Sequence, residues 1–278
     1  MDDLVTTEWL ARNLGAEDLT IVDCSAFMPA DGRDGTAEFV AGHIPGARFL
    51  DIGDVADKAN PAPHMLPSAE QFGAAMVALG IGRDDRIVVY DNSPLRSAAR
   101  GWFMLRHFGA ERVAILDGGL PKWTREGRPV ERGAAQPRAV RFDAHAAADV
   151  VDKAAVLANR EVAVADARGA ARFDGSEDDP RPGIAAGHIP RARNLPFATL
   201  YREDGTFKSE AGLRAEYDAA GIDPDKPFIA SCGSGVTANS LIFTARLLGG
   251  RGQKLYDGSW SEWGADPDTP KELGKAKA

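Results

Sequence analysis

The sequence predicts an α/β protein built from two tandem copies of one domain, each a parallel sheet flanked by helices, and three observations carry that expectation. Its 278 residues are about two ordinary domains' worth of chain. The chain repeats itself at long period: Ala41-Gly42-His43-Ile44-Pro45-Gly46-Ala47 returns 145 residues later as Ala186-Gly187-His188-Ile189-Pro190-Arg191-Ala192. Short apolar runs alternate with helical patterns in both halves, as strands joined by helical crossovers do.

Three more pairs keep the same order at slowly drifting offsets. Ile21-Val22-Asp23 matches Val164-Ala165-Asp166 at 143, Leu79-Gly80-Ile81 matches Ala220-Gly221-Ile222 at 141, and Asp117-Gly118-Gly119 with Trp123 matches Asp257-Gly258-Ser259 with Trp263 at 140. A repeat of that length is a domain, not a solenoid unit.

In chain order, the first half's strands are Ile21-Val22, Ile87-Val88-Val89-Tyr90 and Val113-Ala114-Ile115-Leu116. Ser68-Ala69-Glu70-Gln71 is a capping box opening a helix whose apolar stripe includes Phe72, Met76 and Leu79, with Gly80 as its stop. A further helix is expected over about Leu95–Phe108, closed by Gly109. The second half's strands are Val162-Ala163-Val164, Phe228-Ile229-Ala230 and Lys254-Leu255-Tyr256, with a helix over about Val236–Leu248 stopped by Gly249-Gly250. Weak periodicity from Gly133-Ala134-Ala135-Gln136-Pro137 onward puts a linker at 132–148, between a first domain over 1–131 and a second over 149–278. The tail after Pro270 reads as frayed. Trp102, Trp123, Trp260 and Trp263 read as core or domain-interface aromatics.

Composition narrows the function classes. With 44% hydrophobic and 27% charged residues this is a globular chain, neither disordered nor fibrous. A net charge of −8 argues against nucleic acid or an anionic membrane as partner, since both reward a basic surface. No apolar run is long enough to span a bilayer, and Met1-Asp2-Asp3-Leu4 lacks the basic and apolar regions of a leader. Its two cysteines, neither with a Cys or His at zinc-ligand spacing, fit a reducing compartment, so a cytoplasmic protein without metal or organic cofactor is expected.

The most informative stretch is Phe228-Ile229-Ala230-Ser231-Cys232-Gly233-Ser234-Gly235-Val236-Thr237-Ala238. A strand delivers the cysteine, two glycines let the backbone curl around it, and a helix begins at once. Inward-pointing amides and a helix N-terminus stabilise an anionic sulfur, so Cys232 is a candidate thiolate nucleophile. Cys24, inside Ile21-Val22-Asp23-Cys24, reads as core packing. A cysteine phosphatase is disfavoured, because position 238 is Ala where a phosphate-clamping Arg is needed and no His precedes Cys232. His43 and His188 occur in both halves whereas the nucleophile occurs in one, so they read as parts of a structural turn. Arg168, two residues after Asp166, reads as an ion-pair partner.

The tandem halves, the paired Gly-His-Ile-Pro elements, the Cys232–Thr237 loop and Asp257-Gly258-Ser259-Trp260 together resemble the two-domain rhodanese sulfurtransferases over residues 4–265. The loop wording resembles the branch that uses 3-mercaptopyruvate. Thiosulfate-preferring members usually carry Arg and Lys where Gly233 and Ser234 stand here. The resemblance implies sulfur transfer through a Cys232 persulfide to a thiophilic acceptor such as cyanide, a small thiol or a thioredoxin-like dithiol, with pyruvate released. It transfers carboxylate binding onto Arg172 in Ala171-Arg172-Phe173 and Arg181 in Pro180-Arg181, and donor contact onto Gly233, Gly235, Val236 and Thr237. Pro63-His64-Met65-Leu66 resembles the family's His-Met-Leu segment, which makes His64 and Ser234 candidates for acid–base handling. The family's accompanying aspartate falls opposite Gly53, between Asp51 and Asp54. Asp91 stands where the first half would carry its own cysteine, so that half is expected to hold no persulfide but to offer Asp91-Asn92-Ser93 and His64 to the active-site cleft. A thiosulfate sulfurtransferase, or an inactive rhodanese pair serving as a binding module, are the alternatives.

Overall fold

A computed structural model describes residues 1–134 and 136–275, so Ala135 of the expected linker and the last three residues of the expected second domain lie outside the described residues. The chain divides into two compact units.

The first unit alternates β1 (Leu4–Val5), α1 (Thr7–Asn13), β2 (Leu19–Asp23), α2 (Gly35–Ala41), β3 (Arg48–Phe49), α3 (Ala69–Leu79), β4 (Arg86–Tyr90), α4 (Ala98–His107), β5 (Val113–Leu116) and α5 (Gly119–Arg125). The second repeats the alternation with β6 (Val150–Val151), α6 (Lys153–Ala158), β7 (Ala163–Asp166), α7 (Ala170–Asp174), β8 (Arg193–Asn194), α8 (Glu210–Ala220), β9 (Phe228–Ser231), α9 (Ala238–Leu247), β10 (Lys254–Tyr256) and α10 (Ser259–Trp263). Each sheet has five strands, ordered β1-β5-β4-β2-β3 and β6-β10-β9-β7-β8, so the second order is the first shifted by five. All pairings are parallel, with Val22 opposite Val89 in one sheet and Ala165 opposite Ala230 in the other. Central strands buried on both faces need continuous apolar runs, which Ile87-Val88-Val89-Tyr90 and Phe228-Ile229-Ala230 supply.

The capping box at Ser68 forms as read: Ser68 Oγ accepts from the Gln71 amide and Gln71 Oε1 from the Ser68 amide, and Gly80 closes the helix at φ 72°. Cys24 is fully buried, and burial together with the carboxylates of Asp23 and Asp91 pushes its thiol well above the ordinary value. It stays a neutral packing group against Gly101 of α4. All four tryptophans named above are buried, Trp123 in the first core and Trp260 and Trp263 in the second.

The Gly-His-Ile-Pro elements are matched structural turns. His43 stacks on Phe39 and His188 on Phe173, both at 3.9 Å, and each histidine's Nδ1 hydrogen-bonds the backbone carbonyl of the phenylalanine it stacks on. Each turn pairs with a strap following the last helix of its half, His43 with Glu131 and His188 with Glu272. That second strap belongs to the tail expected to fray. Its described residues are instead docked, with Arg191 N–H donating to the Glu272 carboxylate and Gly274 N–H to the Asp174 carbonyl. Its pairings are long-range backbone contacts, which leave no local pattern in the sequence.

Two short segments cluster with the half to which they do not belong in sequence: Lys58–Met65 with the second unit and Glu203–Phe207 with the first. They correspond in the duplication, since His64 and Gly205 are 141 residues apart. In the first unit Phe207 N–H donates to the Asp117 carboxylate at 2.9 Å. In the second, the segment delivers His64 to the Cys232 loop. Residues 136–147 run along the first unit, where Phe142 packs edge-on against Phe72 and Ala147 N–H donates to the His107 carbonyl.

Candidate active site

β9 ends one residue before Cys232, and α9 starts six residues after it. The start of the intervening loop is anchored by α10. Ser259 Oγ accepts from the Cys232 amide at 3.1 Å, Trp260 N–H donates to the Cys232 carbonyl at 2.9 Å, and Ser261 N–H donates to the Gly233 carbonyl at 2.9 Å. Gly235 sits at φ 73°, where a Cβ would come 2.7 Å from both the carbonyl and the carboxylate of Asp257. Only glycine fits that backbone and that approach. On the helix side, Asn239 Nδ2 donates to the carbonyls of Gly235 and Val236. Val236 is buried, and Thr237 is the helix N-cap residue, half-buried.

Cys232 is 1% exposed, so its side chain is enclosed by its surroundings. Ser259 Oγ lies 4.0 Å from Sγ and donates to the Tyr256 carbonyl at 2.8 Å. Ser259 was not among the residues singled out from the sequence. It occupies φ 49°, left-handed backbone that L-residues pay for, where the first half has Gly119 at φ 55°. A serine where its own duplicate has glycine was the available signal.

His64 Nδ1 and Ser234 Oγ share a hydrogen bond of 3.0 Å, joining two predicted residues 170 apart in sequence. His64 is itself at φ 62°. Asp51, one of the two candidates flanking the expected aspartate, turns its Oδ1 onto the amides of Gly53 and Asp54.

Arg172 from α7 and Arg181 from the following loop come together at the Cys loop. A Cβ at Gly233 would lie 3.3 Å from Arg181 Nη2 and 3.4 Å from Arg172 Nη2, and Arg181 Nη1 donates to the Gly233 carbonyl at 2.9 Å. Both guanidinium groups bind one carboxylate, Asp179, which no motif of the sequence marks. Behind them, Arg168 forms a buried bidentate pair with Asp166, donates to the Gly187 carbonyl, and lies 4.5 Å over the Trp260 ring. A thiol at a strand end, a Ser–His hydrogen bond and a guanidinium pair on the same loop can hold a carboxylate-bearing thiol compound and move a proton near it. Among the described residues no group of three His, Cys, Asp or Glu side chains gathers as a metal site.

In the first unit Asp91 is buried at the position matched to Cys232. Its carboxylate accepts from the Ser93 and Ala98 amides at 3.1 and 2.7 Å, and burial raises its pKa. That carboxylate is closed on its own loop and on the start of α4.

The Rhodanese-like domain family matches residues 6–126 and again 150–266. A 3-mercaptopyruvate sulfurtransferase of Escherichia coli K12 is 43% identical over 273 residues, covering 96% of this chain and 97% of that protein. The mitochondrial thiosulfate/3-mercaptopyruvate sulfurtransferase 1 of Arabidopsis thaliana is 38% identical, covering 98% of this chain and 78% of that protein. Among solved structures, the E. coli protein SseA, described as a 3-mercaptopyruvate sulfotransferase with the rhodanese fold, superposes with a TM-score of 0.85 at 40% identity, covering 94% of this chain and all of that one.

Proposed function

The chain belongs to the rhodanese family, and on that premise we propose that it is a sulfurtransferase that takes sulfur from 3-mercaptopyruvate onto Cys232 and hands it to a thiophilic acceptor. The observation that carries this reading is the convergence on one loop of Cys232, the His64–Ser234 hydrogen bond and the Arg172–Arg181 pair.

The Cys232 thiolate attacks the donor's sulfur, and the S–S bond forms as the bond between that sulfur and C3 breaks. The electron pair of the broken bond leaves as the enolate of pyruvate, whose carboxylate Arg172 and Arg181 hold as a planar fork holds a planar anion. Ser234 and His64 deliver the proton that converts the enolate to pyruvate. A persulfide stays on Cys232, cradled by Gly233, Gly235, Val236, Thr237 and the start of α9. An acceptor thiolate, such as that of a thioredoxin-like dithiol, or cyanide then attacks the outer sulfur and releases the Cys232 thiolate. No step needs a cofactor. Both cysteines are free, which fits work in a reducing cytoplasm. No helix among the described residues is long and apolar enough to cross a membrane.

Thiosulfate is the second donor to weigh, since the Arabidopsis relative is named for both. Against it, Gly233 and Ser234 bring no side-chain cation to a dianion. Incubation with 3-mercaptopyruvate, read by intact mass, is expected to add one sulfur to the protein and none to Cys232→Ser. No adduct from either donor ends the enzyme reading and leaves a binding module; a kcat/KM at least tenfold better for thiosulfate ends the choice of donor.

A further inference from the structure

The sulfur-transfer reading leaves Asp179 without a task, although its side chain is enclosed beside the Cys loop. Its carboxylate is 1% exposed, whereas the arginine side chains it binds are each 25% exposed. Oδ1 accepts from the Arg181 amide at 3.1 Å and from Arg181 Nε at 2.7 Å. Oδ2 accepts from Arg181 Nη2 at 2.9 Å and from Arg172 Nη2 at 2.5 Å. One carboxylate therefore braces both guanidinium planes from behind, and the Arg181–Gly233 bond pins that assembly to the loop carrying Cys232. Burial pushes the Asp179 carboxyl up, but the hydrogen bonds from Arg181 and Arg172 outweigh it and hold it at about 2, so it is ionised at neutral pH. One donor of the assembly is left over: Arg172 Nε is buried without a hydrogen-bond partner. A buried, unspent donor beside a reactive loop is a place for a ligand oxygen.

The charges add to a definite sum. Two guanidinium groups and one carboxylate leave the cluster at +1, and Gly233 and Ser234 add nothing. That balances a single carboxylate and falls one charge short of a dianion such as thiosulfate.

We propose that Asp179 is a positioning and specificity-determining residue, which holds Arg172 and Arg181 as one fork and sets its net charge to suit a monocarboxylate donor over dianionic thiosulfate. The proposal rests on the carboxylate-binding reading of the two arginines given above.

Asp179→Asn keeps the shape and removes the charge and the brace. Steady-state kinetics are expected to show KM for 3-mercaptopyruvate raised at least tenfold with kcat changed less than threefold, and kcat/KM for thiosulfate relative to mercaptopyruvate raised at least tenfold. Asp179→Glu keeps the charge but displaces the carboxylate by one methylene; it is expected to raise the mercaptopyruvate KM while leaving the donor ratio within threefold of the parent. Loading of Cys232 from inorganic polysulfide, which has no carboxylate, reports the intact loop by mass in each variant. Equal losses for both donors in Asp179→Asn with polysulfide loading retained make Asp179 merely structural and overturn the proposal. So does an unchanged mercaptopyruvate KM in either variant. Should Asp179→Asn fail to fold, and so fail to load from polysulfide, Asp179→Ser, which also removes the charge, takes its place with the same expected and overturning results. A parent protein that takes no sulfur from mercaptopyruvate overturns the sulfur-transfer reading instead, a result distinct from any of these.

Discussion

Ser259 offers a perturbation whose size can be worked from the duplicate half. Its hydroxyl accepts from the Cys232 amide and donates to the Tyr256 carbonyl, and both partners are buried. Ser259→Ala orphans those two groups and keeps the left-handed backbone at φ 49°. Leaving buried donors and acceptors unpaired costs about 1–3 kcal/mol. Ser259→Gly orphans the same two groups but relieves a left-handed strain of roughly 1–2 kcal/mol, less about 0.5–1 kcal/mol for the greater freedom of unfolded glycine. The glycine variant should therefore be the more stable of the two by about 0.5–1 kcal/mol, as Gly119 suggests by standing at the matched position. Urea unfolding gives the stabilities, and the time course of the one-sulfur adduct by intact mass gives the chemistry. Both variants should load Cys232 more slowly than the parent, because the amide that Ser259 Oγ fixes belongs to the nucleophile itself. An alanine variant as stable as the parent, or more stable than the glycine variant, refutes the strain-for-anchor reasoning.

Two further outcomes test the core beneath the first half's loop. Gly101→Ala puts a methyl group into Cys24 Sγ and should destabilise by about 1–3 kcal/mol; adding Cys24→Ala should restore more than half of that loss, a coupling that additive stabilities in urea would disprove. Burial raises Asp23 from 3.8 to about 6, against the hydrogen bonds of Ser25 and Tyr90 that pull it down. The unfolded chain thus ionises first, so this group's contribution is full below about pH 4 and is lost as pH rises to about 6, on the order of 3 kcal/mol. Asp23→Asn should remove that decline, and unfolding curves that stay parallel to the parent's from pH 4 to 7 would count against it.

Much of the architecture was legible because it is written in local pattern. Ile87–Tyr90 and Val113–Leu116 are continuous apolar runs, and the Ser68–Gln71 box and Gly80 mark both ends of α3. The two-residue strands at Leu4, Arg48, Val150 and Arg193 carry no periodicity and are defined only by their neighbours. The Cys232 loop was legible because a cysteine between a strand and a helix start, followed by Gly-Ser-Gly, has few other uses. Asp179 and Ser259 were not, because what distinguishes them is geometric: one carboxylate shared by two guanidinium groups, and one serine in a glycine's backbone.

The duplicate halves also differ at the loop that carries Cys232 in one and Asp91 in the other. The backbone frame is retained in both: Leu120 N–H donates to the Asp91 carbonyl as Trp260 N–H donates to that of Cys232. The difference lies in charge. In the first half Asp91 presents its carboxyl group to the loop amides, and Asn92, matched to Gly233, donates to Glu38, which pairs with Arg33. Arg33 is thereby taken up by Glu38, while the charge of Arg96 acts on Asp91 itself. In the second half two arginines share the one carboxylate of Asp179, and the loop encloses a thiol instead of a carboxyl group. A duplicated fold can thus keep its frame while the charges around its loop change, and restoring the cysteine alone at Asp91 would leave Arg33 still paired with Glu38.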